Sequence, residues 1–413
     1  MVRWRPLLPH PQPGSRRSLF AFPSRRLSTV TLNDDSLTIP SLGNATFPYI
    51  WLRDSCQSTE CIHPETTQKL HSSTDFASRS IDEGLHIEWP NGHVSLFPKS
   101  FLERHSSKDS LSRFRKDVGA ETWDRKDVEK SRDLFLKYED FKKPGGLLKA
   151  IDQLCKSGLL FLVPRCPTST TNSEAHLTEL ALEFATEIRE TFYGRIFHVQ
   201  NRNSENIAYT NLKLGLHMDM LYLENPPRYQ ILNCIRNKVI GGSSVFSDSF
   251  HAARQLKSLN PEDYELLTRV PVPFQYLYGD HHLHYSRPTI ALDPYNPTLE
   301  SPPIKYVNYG PPFQAPLLLS PSSASALQDL YRALGRFADL LNSPENTYEY
   351  TLQEGDAVIF DNRRVSHART AFRDYDDSKE GTFEGPRRWL QGCYFEGDSM
   401  LDRGRVLRAG GRF

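Results

Sequence analysis

His217-Met218-Asp219, followed about 150 residues later by His367, is the stretch on which the reading of this chain turns. Two imidazoles and one carboxylate, the close pair first and the lone histidine late, form the ligand set of a facial triad for Fe(II). Such a set fills three corners of an octahedron and leaves three open. The spacing has a physical basis. Side chains on an extended segment alternate, so residues i and i+2 point to the same side. The third ligand must then arrive from another strand folded back beside the pair. H-x-D alone is common by chance, and the surrounding sequence supplies the context.

That context is rich in strands. His367 follows Gly355-Asp356-Ala357-Val358-Ile359-Phe360-Asp361-Asn362. A Gly-Asp turn feeds an apolar run, which places the histidine at a strand end, on a rigid element. A lone histidine there would otherwise read as a surface-loop residue. Residues 229–234, 244–246, 303–307, 348–352, 357–360 and 389–395 are further strand candidates. A helix carries Leu327, Leu330, Tyr331, Leu334, Phe337 and Leu341 on one face. Upstream, Leu147, Leu148, Ile151 and Leu154 mark a helix leading into an apolar strand at 159–164. Ser173 caps another with Leu177, Leu180, Ala181, Phe184 and Ile188 on one face. Many short strands with a few covering helices predict a mainly β fold, a double-stranded β-helix (jelly roll) over residues 146–413. Residues 34–105 read as a small β-rich N-terminal domain, and 106–145 as a charged linker.

The 413 residues hold 50 Lys+Arg and 50 Asp+Glu, a formal net charge of zero. That removes the electrostatic case for nucleic acid or an anionic membrane as partner. No apolar run approaches the ~20 residues of a spanning helix. The six cysteines (Cys56, Cys61, Cys155, Cys166, Cys234, Cys393) are too sparse for a disulfide scaffold and suit a reducing compartment. Residues 1–33 differ from the rest. They carry Arg3, Arg5, Arg16, Arg17, Arg25 and Arg26, several serines and no acid before Asp34. This composition reads as a mitochondrial transit peptide. The alternative is a disordered basic tail in a cytoplasmic protein, and Pro6, Pro9, Pro11 and Pro13 weaken an amphipathic helix there.

Three further groups carry chemistry. Arg387 and Arg388 lead the strand at 389; alternation lets Arg388 point inward and Arg387 outward. A guanidinium fork suits the distal carboxylate of a co-substrate, against the plainer reading of a solvated basic pair. Phe192, Tyr193, Phe197 and Tyr209, with Tyr394 from the last strand, are either core packing or the aromatic walls that hold a quaternary ammonium group. Cys56-x₄-Cys61, with His63 and His93, offers zinc ligands, or simply two buried thiols and surface histidines.

At these residues the chain resembles the gamma-butyrobetaine dioxygenase family, the carnitine-biosynthesis branch of the TauD/TfdA-like, Fe(II)- and 2-oxoglutarate-dependent oxygenases; trimethyllysine dioxygenase is a close relative. The resemblance covers nearly everything after the presequence. Its landmarks are Trp51-Leu52-Arg53-Asp54-Ser55-Cys56, Trp89-Pro90-Asn91-Gly92-His93, Asn206-Ile207-Ala208-Tyr209-Thr210, His217-Met218-Asp219, Gly241-Gly242, Phe360-Asp361-Asn362 and His367. It implies that His217, Asp219 and His367 bind Fe(II), and that Arg388, helped by Asn206, binds 2-oxoglutarate. It implies a trimethylammonium cage of Tyr193, Phe197, Tyr209 and Tyr394, and zinc on Cys56, Cys61 and His93. O₂ and ascorbate complete the implied cofactors, with a small-molecule substrate and a homodimer as the expected partners.

The departures concern zinc and substrate. Ser58 stands at a middle zinc cysteine of the butyrobetaine enzymes, and His63 is a candidate replacement ligand. Phe197 replaces an indole and Arg363 a tryptophan. Val307-Asn308-Tyr309-Gly310 lacks the family's second Asn and later Arg-Asp, and an insertion spans about 374–384. The expected activity is hydroxylation of gamma-butyrobetaine or a related trimethylammonium acid. The alternatives are the same chemistry on trimethyllysine or a secondary metabolite, and a catalytically silent binding protein on an oxygenase fold.

Overall fold

The computed structural model describes residues 30–70, 84–89, 92–163, 173–200, 210–293, 303–317, 324–374 and 386–410. The presequence up to residue 29, Asn206, Tyr209 and almost all of the expected insertion lie outside these. The chain divides into two compact units between Asp117 and Val118.

Among the described residues the larger unit holds two main sheets and three two-stranded ones (239–241 with 372–374, 271–278 with 281–288, and 290–292 with 304–307). The strands of the two main sheets, in chain order, are β1 (Phe135–Leu136), β2 (Leu159–Leu162), β3 (Phe197–Gln200), β4 (Leu214–His217), β5 (Tyr229–Asn237), β6 (Ser244–Asp248), β7 (Thr347–Tyr350), β8 (Ala357–Asp361), β9 (Val365–Arg369) and β10 (Arg388–Phe395). One sheet runs β1-β2-β8-β5-β10-β3 and the other β7-β6-β9-β4. Every pairing is antiparallel except β1 with β2. These are the two sheets of a jelly roll.

Alternation decides which side chain faces which layer. On β5, β8 and β10, Leu232, Cys234, Val358, Phe360, Leu390 and Tyr394 belong to the core between the sheets. Their neighbours Tyr229, Ile231, Ala357, Ile359, Cys393 and Phe395 pack in a second core under helices. Both faces are buried, so these strands read as continuous apolar runs rather than alternating ones. Helices α1 (Gly146–Ser157) and α2 (Ser173–Phe184) supply that second layer. α1 stops where Gly158 adopts φ +71° and its N–H closes on the Leu154 carbonyl at 2.9 Å. The long amphipathic helix at 324–342 contributes Leu330, Ala333, Phe337 and Leu341 to the first core. Each fully buried Leu, Ile or Phe stabilises the fold by about 1.5–3 kcal/mol.

Several expectations need correcting. Residues 118–145 are not linker but part of the larger unit. The Trp123 backbone N–H donates to Asp248 at 3.0 Å, and its indole N–H to the Ser157 carbonyl at 2.8 Å. β1 extends the large sheet, with Phe135 stacked on Phe161 at 4.8 Å. Residues 45–51 form a strand only to Pro48; a helix begins at Tyr49. The Ser173 hydroxyl accepts from Gln391 at 2.7 Å. His367 sits in the middle of β9, not at a strand end.

The smaller unit carries a three-stranded sheet (31–32, 36–39, 45–48), a two-stranded sheet (84–88, 94–98) and a core around Leu37, Ile39, Phe47, Leu52 and Phe97. Among the described residues no helix is long and apolar enough to cross a membrane.

Candidate active site

β4 and β9 run antiparallel with His217 paired directly to His367, and the two rings lie 4.3 Å apart. The pairing register alone makes the early and late histidines neighbours. Asp219 follows after the strand has ended, so the extended-pair geometry holds only up to His217. The chain turns at Met220, which takes a left-handed φ of +59°, a conformation that costs a bulky residue energy and clusters at functional sites. Asn362 holds this turn. Its Oδ1 accepts the Asp219 N–H at 2.7 Å, and its Nδ2 donates to the Asp219 carbonyl at 3.1 Å and to Pro227 at 3.0 Å.

The result is a tight cluster. Asp219 Oδ1 is 3.4 Å from His217 Nε2, and Oδ2 is 3.7 Å from His367 Nε2. One ligand atom from each residue lies within 4.8 Å of the others. Adjacent ligands on bonds of about 2.1 Å sit about 3 Å apart, so a small inward shift fits one ion. His217 Nδ1 lies 2.8 Å from the Gly215 carbonyl. A carbonyl only accepts, so Nδ1 bears the proton and Nε2 keeps its lone pair for a metal. His367 Nδ1 is buried with no hydrogen-bond partner among the described residues, and burial, with His217 adding to it, pushes this imidazole down to about 3. It is therefore a neutral ligand. Burial by itself would raise the Asp219 carboxyl; His367, His217 and the Tyr394 hydroxyl outweigh it and hold it well below the usual carboxylate range. Two imidazole nitrogens and one anionic oxygen are the donor set a divalent first-row metal takes.

The cluster opens into a cleft of about 870 Å³, mouth included. Arg388 lies at the start of β10, 4% exposed, and lines this cleft. Its Nη2 donates to the Gly242 carbonyl at 3.1 Å, and its Nε is buried with no partner among the described residues. A Cβ on Gly242 would lie 2.9 Å from that Nε, so the guanidinium fits only against glycine. Burial pushes Arg388 down to about 10, which still leaves it cationic. Arg387 instead lies toward Asp374, at 3.8 Å. Arg369 is a second cleft guanidinium, which the sequence reading missed. The signal was available, because it stands two residues after His367 on one strand. Its Nη2 donates to the Thr210 and Leu212 carbonyls, each at 2.7 Å.

Tyr193, Phe197 and Tyr394 all line the cleft, but not as equivalent walls. Phe197 and Tyr394 stack on each other at 5.0 Å. Tyr193 belongs to another aromatic group, 4.2 Å from Phe192 and 6.5 Å from Tyr276. Tyr222 and Phe313, which no sequence pattern singled out, complete the apolar wall. Arg363 lies outside the cleft; it donates to Asn308 at 3.0 Å and covers the Tyr306 ring at 4.2 Å.

In the smaller unit Cys56, Cys61 and His93 form a second buried cluster, with ligand atoms within 4.8 Å of one another. The Cys56 thiol lies 3.3 Å from the Ser58 hydroxyl. Burial would raise the Cys56 thiol, but hydrogen bonds from Ser58, Ser95 and the backbone lower it, while burial raises Cys61. His63 is not in this cluster; its Nδ1 accepts from the backbone of Glu65 and Thr66.

Residues 129–394 match the family described as taurine catabolism dioxygenase TauD, TfdA family. The chain belongs to this family. It is a dioxygenase of the Fe(II)- and 2-oxoglutarate-dependent kind, and the jelly roll is the scaffold its sequence pattern predicts. Residues 31–103 match a second family, gamma-butyrobetaine hydroxylase-like, N-terminal. A dioxygenase named str8 from Strobilurus tenacellus is 47% identical over 400 residues, 94% of this chain and 91% of its own. The mitochondrial trimethyllysine dioxygenase of Homo sapiens is 30% identical, covering 87% of this chain and 82% of its own. The gamma-butyrobetaine dioxygenase of Homo sapiens is 27% identical, over 88% and 91%.

Proposed function

We propose that this TauD/TfdA-family dioxygenase hydroxylates gamma-butyrobetaine or a related small trimethylammonium acid, using Fe(II) on His217, Asp219 and His367. The observation that carries the reading is the coincidence, in one cleft, of the His-Asp-His cluster with a buried cation at Arg388. When bound, ferrous iron with 2-oxoglutarate supplies O₂ activation coupled to decarboxylation to succinate and CO₂, and so the hydroxylation of an unactivated C–H bond. The chain's own residues do the placing. Arg388 offers a fork for the distal carboxylate. Tyr193, Tyr222 and Phe313 line the cleft as aromatic walls for a cationic head, and the apolar wall excludes water, which fixes one carbon of the substrate. The test is succinate release from iron-loaded protein across gamma-butyrobetaine, trimethyllysine and other small acids. Absence of turnover on both trimethylammonium compounds defeats the substrate assignment.

A second reading is the same chemistry on a different small molecule. It is favoured by the Phe197–Tyr394 stack, in which each ring covers a face of the other, and by Arg363 outside the cleft. A captured ligand without a trimethylammonium group would decide for it. The finer roles follow the same proposal. Zinc takes Cys56, Cys61 and His93, with the Ser58 hydroxyl beside them, and the arginine-rich N-terminus directs the chain to mitochondria. Ascorbate serves as supporting reductant, and the assembly is a homodimer.

A further inference from the structure

We infer that Tyr394 is a positioning residue for the carboxylate of Asp219, and not merely a wall of the cleft. This rests on the reading of Asp219 as a ligand to the ferrous ion.

The backbone of Asp219 is already immobilised. Asn362, with no exposed surface, takes its N–H at 2.7 Å and reaches its carbonyl at 3.1 Å. What remains free is rotation of the carboxylate about its own side-chain bonds. The Tyr394 hydroxyl donates to Oδ2 at 2.8 Å and arrests that rotation. With Oδ2 committed, Oδ1 is the oxygen turned to His217 Nε2, at 3.4 Å.

Tyr394 is rigid enough to do this. It lies on β10 opposite Gln230 of β5, and its carbonyl accepts the Arg189 N–H at 2.8 Å. Its ring is 4% exposed and stacked on Phe197. Phe197 in turn fits because residue 392 has no side chain: a Cβ there would fall 2.2 Å from the Phe197 ring. A packed path therefore runs from Gly392 through Phe197 and Tyr394 to the carboxylate. Charged oxygens taken out of water need donors, and hydrogen bonds to ligating groups are worth about 10- to 100-fold in metal affinity.

Tyr394→Phe separates the two roles, because it keeps the ring, the stack and the π face and removes only the O–H. The probe is Co(II), titrated anaerobically into the full chain and followed by its d–d absorption. The expected result is at least about a tenfold loss of Co(II) affinity with an altered band shape. Unchanged affinity and an unchanged band overturn the inference. Phe197→Leu removes the stack but leaves the hydroxyl, and is expected to weaken Co(II) less; a loss equal to that of Tyr394→Phe would make packing the cause and also overturn it. Apo melting curves of both variants check the fold. His217→Ala distinguishes the underlying reading: if it retains full Co(II) affinity, the metal assignment has failed, whatever Tyr394 does.

Discussion

Replacing Arg388 with Met should move stability and co-substrate binding in opposite directions. Arg388 is 4% exposed, its Nε has no partner among the described residues, and burial, with Arg369 adding to it, depresses its pKa. In the free protein this is a charge taken out of water without a compensating carboxylate among the described residues. Removing it relieves a cost, so the melting temperature of the metal-free variant should match or exceed that of the parent. On the proposed reading the same charge would meet the distal carboxylate of 2-oxoglutarate in the complex. Truncating one partner of a buried charge pair costs about 2–5 kcal/mol. At about 1.4 kcal/mol per tenfold, the KM for 2-oxoglutarate should rise between about 30-fold and a few thousand-fold. Arg388→Lys keeps the charge but loses the fork, and should fall between the two. Melting curves with and without 2-oxoglutarate read both effects in one experiment. Parent protein at a hundredfold excess over Kd gains about 2.7 kcal/mol, and the Met variant should gain no more than about 0.9 kcal/mol at that concentration. A Met variant whose affinity stays within threefold of the parent refutes the argument. Arg369, held by two carbonyls but lining the same cleft, would then be the residue to replace.

His367→Ala should abolish metal binding and turnover while the protein stays folded, since β9 remains paired on both sides; retained turnover removes it from the ligand set. Gly392→Ala forces a methyl to within 2.2 Å of the Phe197 ring and should cost about 1–3 kcal/mol by overpacking; an unchanged melting temperature would mean that Phe197 is elsewhere. Burial pushes the Cys234 and Cys393 thiols up to about 12, so neither should react with iodoacetamide at pH 8 until the chain is unfolded. The sign of the linkage follows: both groups deprotonate more easily when unfolded, so their contribution is complete below about pH 8.5 and is lost as pH rises toward 12. Denaturation midpoints that do not fall across that range would contradict it.

Those elements whose physics is local were the ones legible from the sequence. Strands β5, β8 and β10 appear as apolar runs because both faces are buried, and Arg388 could be aimed inward because period two is a property of any strand. The missed features are held from far along the chain. Residues 118–145 look like linker because a two-residue strand and short charged helices carry no periodicity; Trp123 is anchored through Asp248, 125 residues away. Asp219 looked like a strand residue, and its real support is Asn362, 143 residues on, and Tyr394, 175 residues on. In sequence a cleft wall and a carboxylate-orienting phenol are the same letter. Only the 2.8 Å between Tyr394 and Oδ2 separates the two roles. The division has a functional consequence. The metal cluster depends on strand register, His217 opposite His367, and a one-residue slip would turn one imidazole to the other face of the sheet. The aromatic walls come from rings on β3, β10 and the turns after Asp219 and Val307, outside the His217–His367 pairing, and Tyr394 among them also reaches the Asp219 carboxylate. The triad is fixed by one strand register and the cleft walls by rings from several separate segments, which is why the triad reads more directly from this sequence than the molecule it acts on.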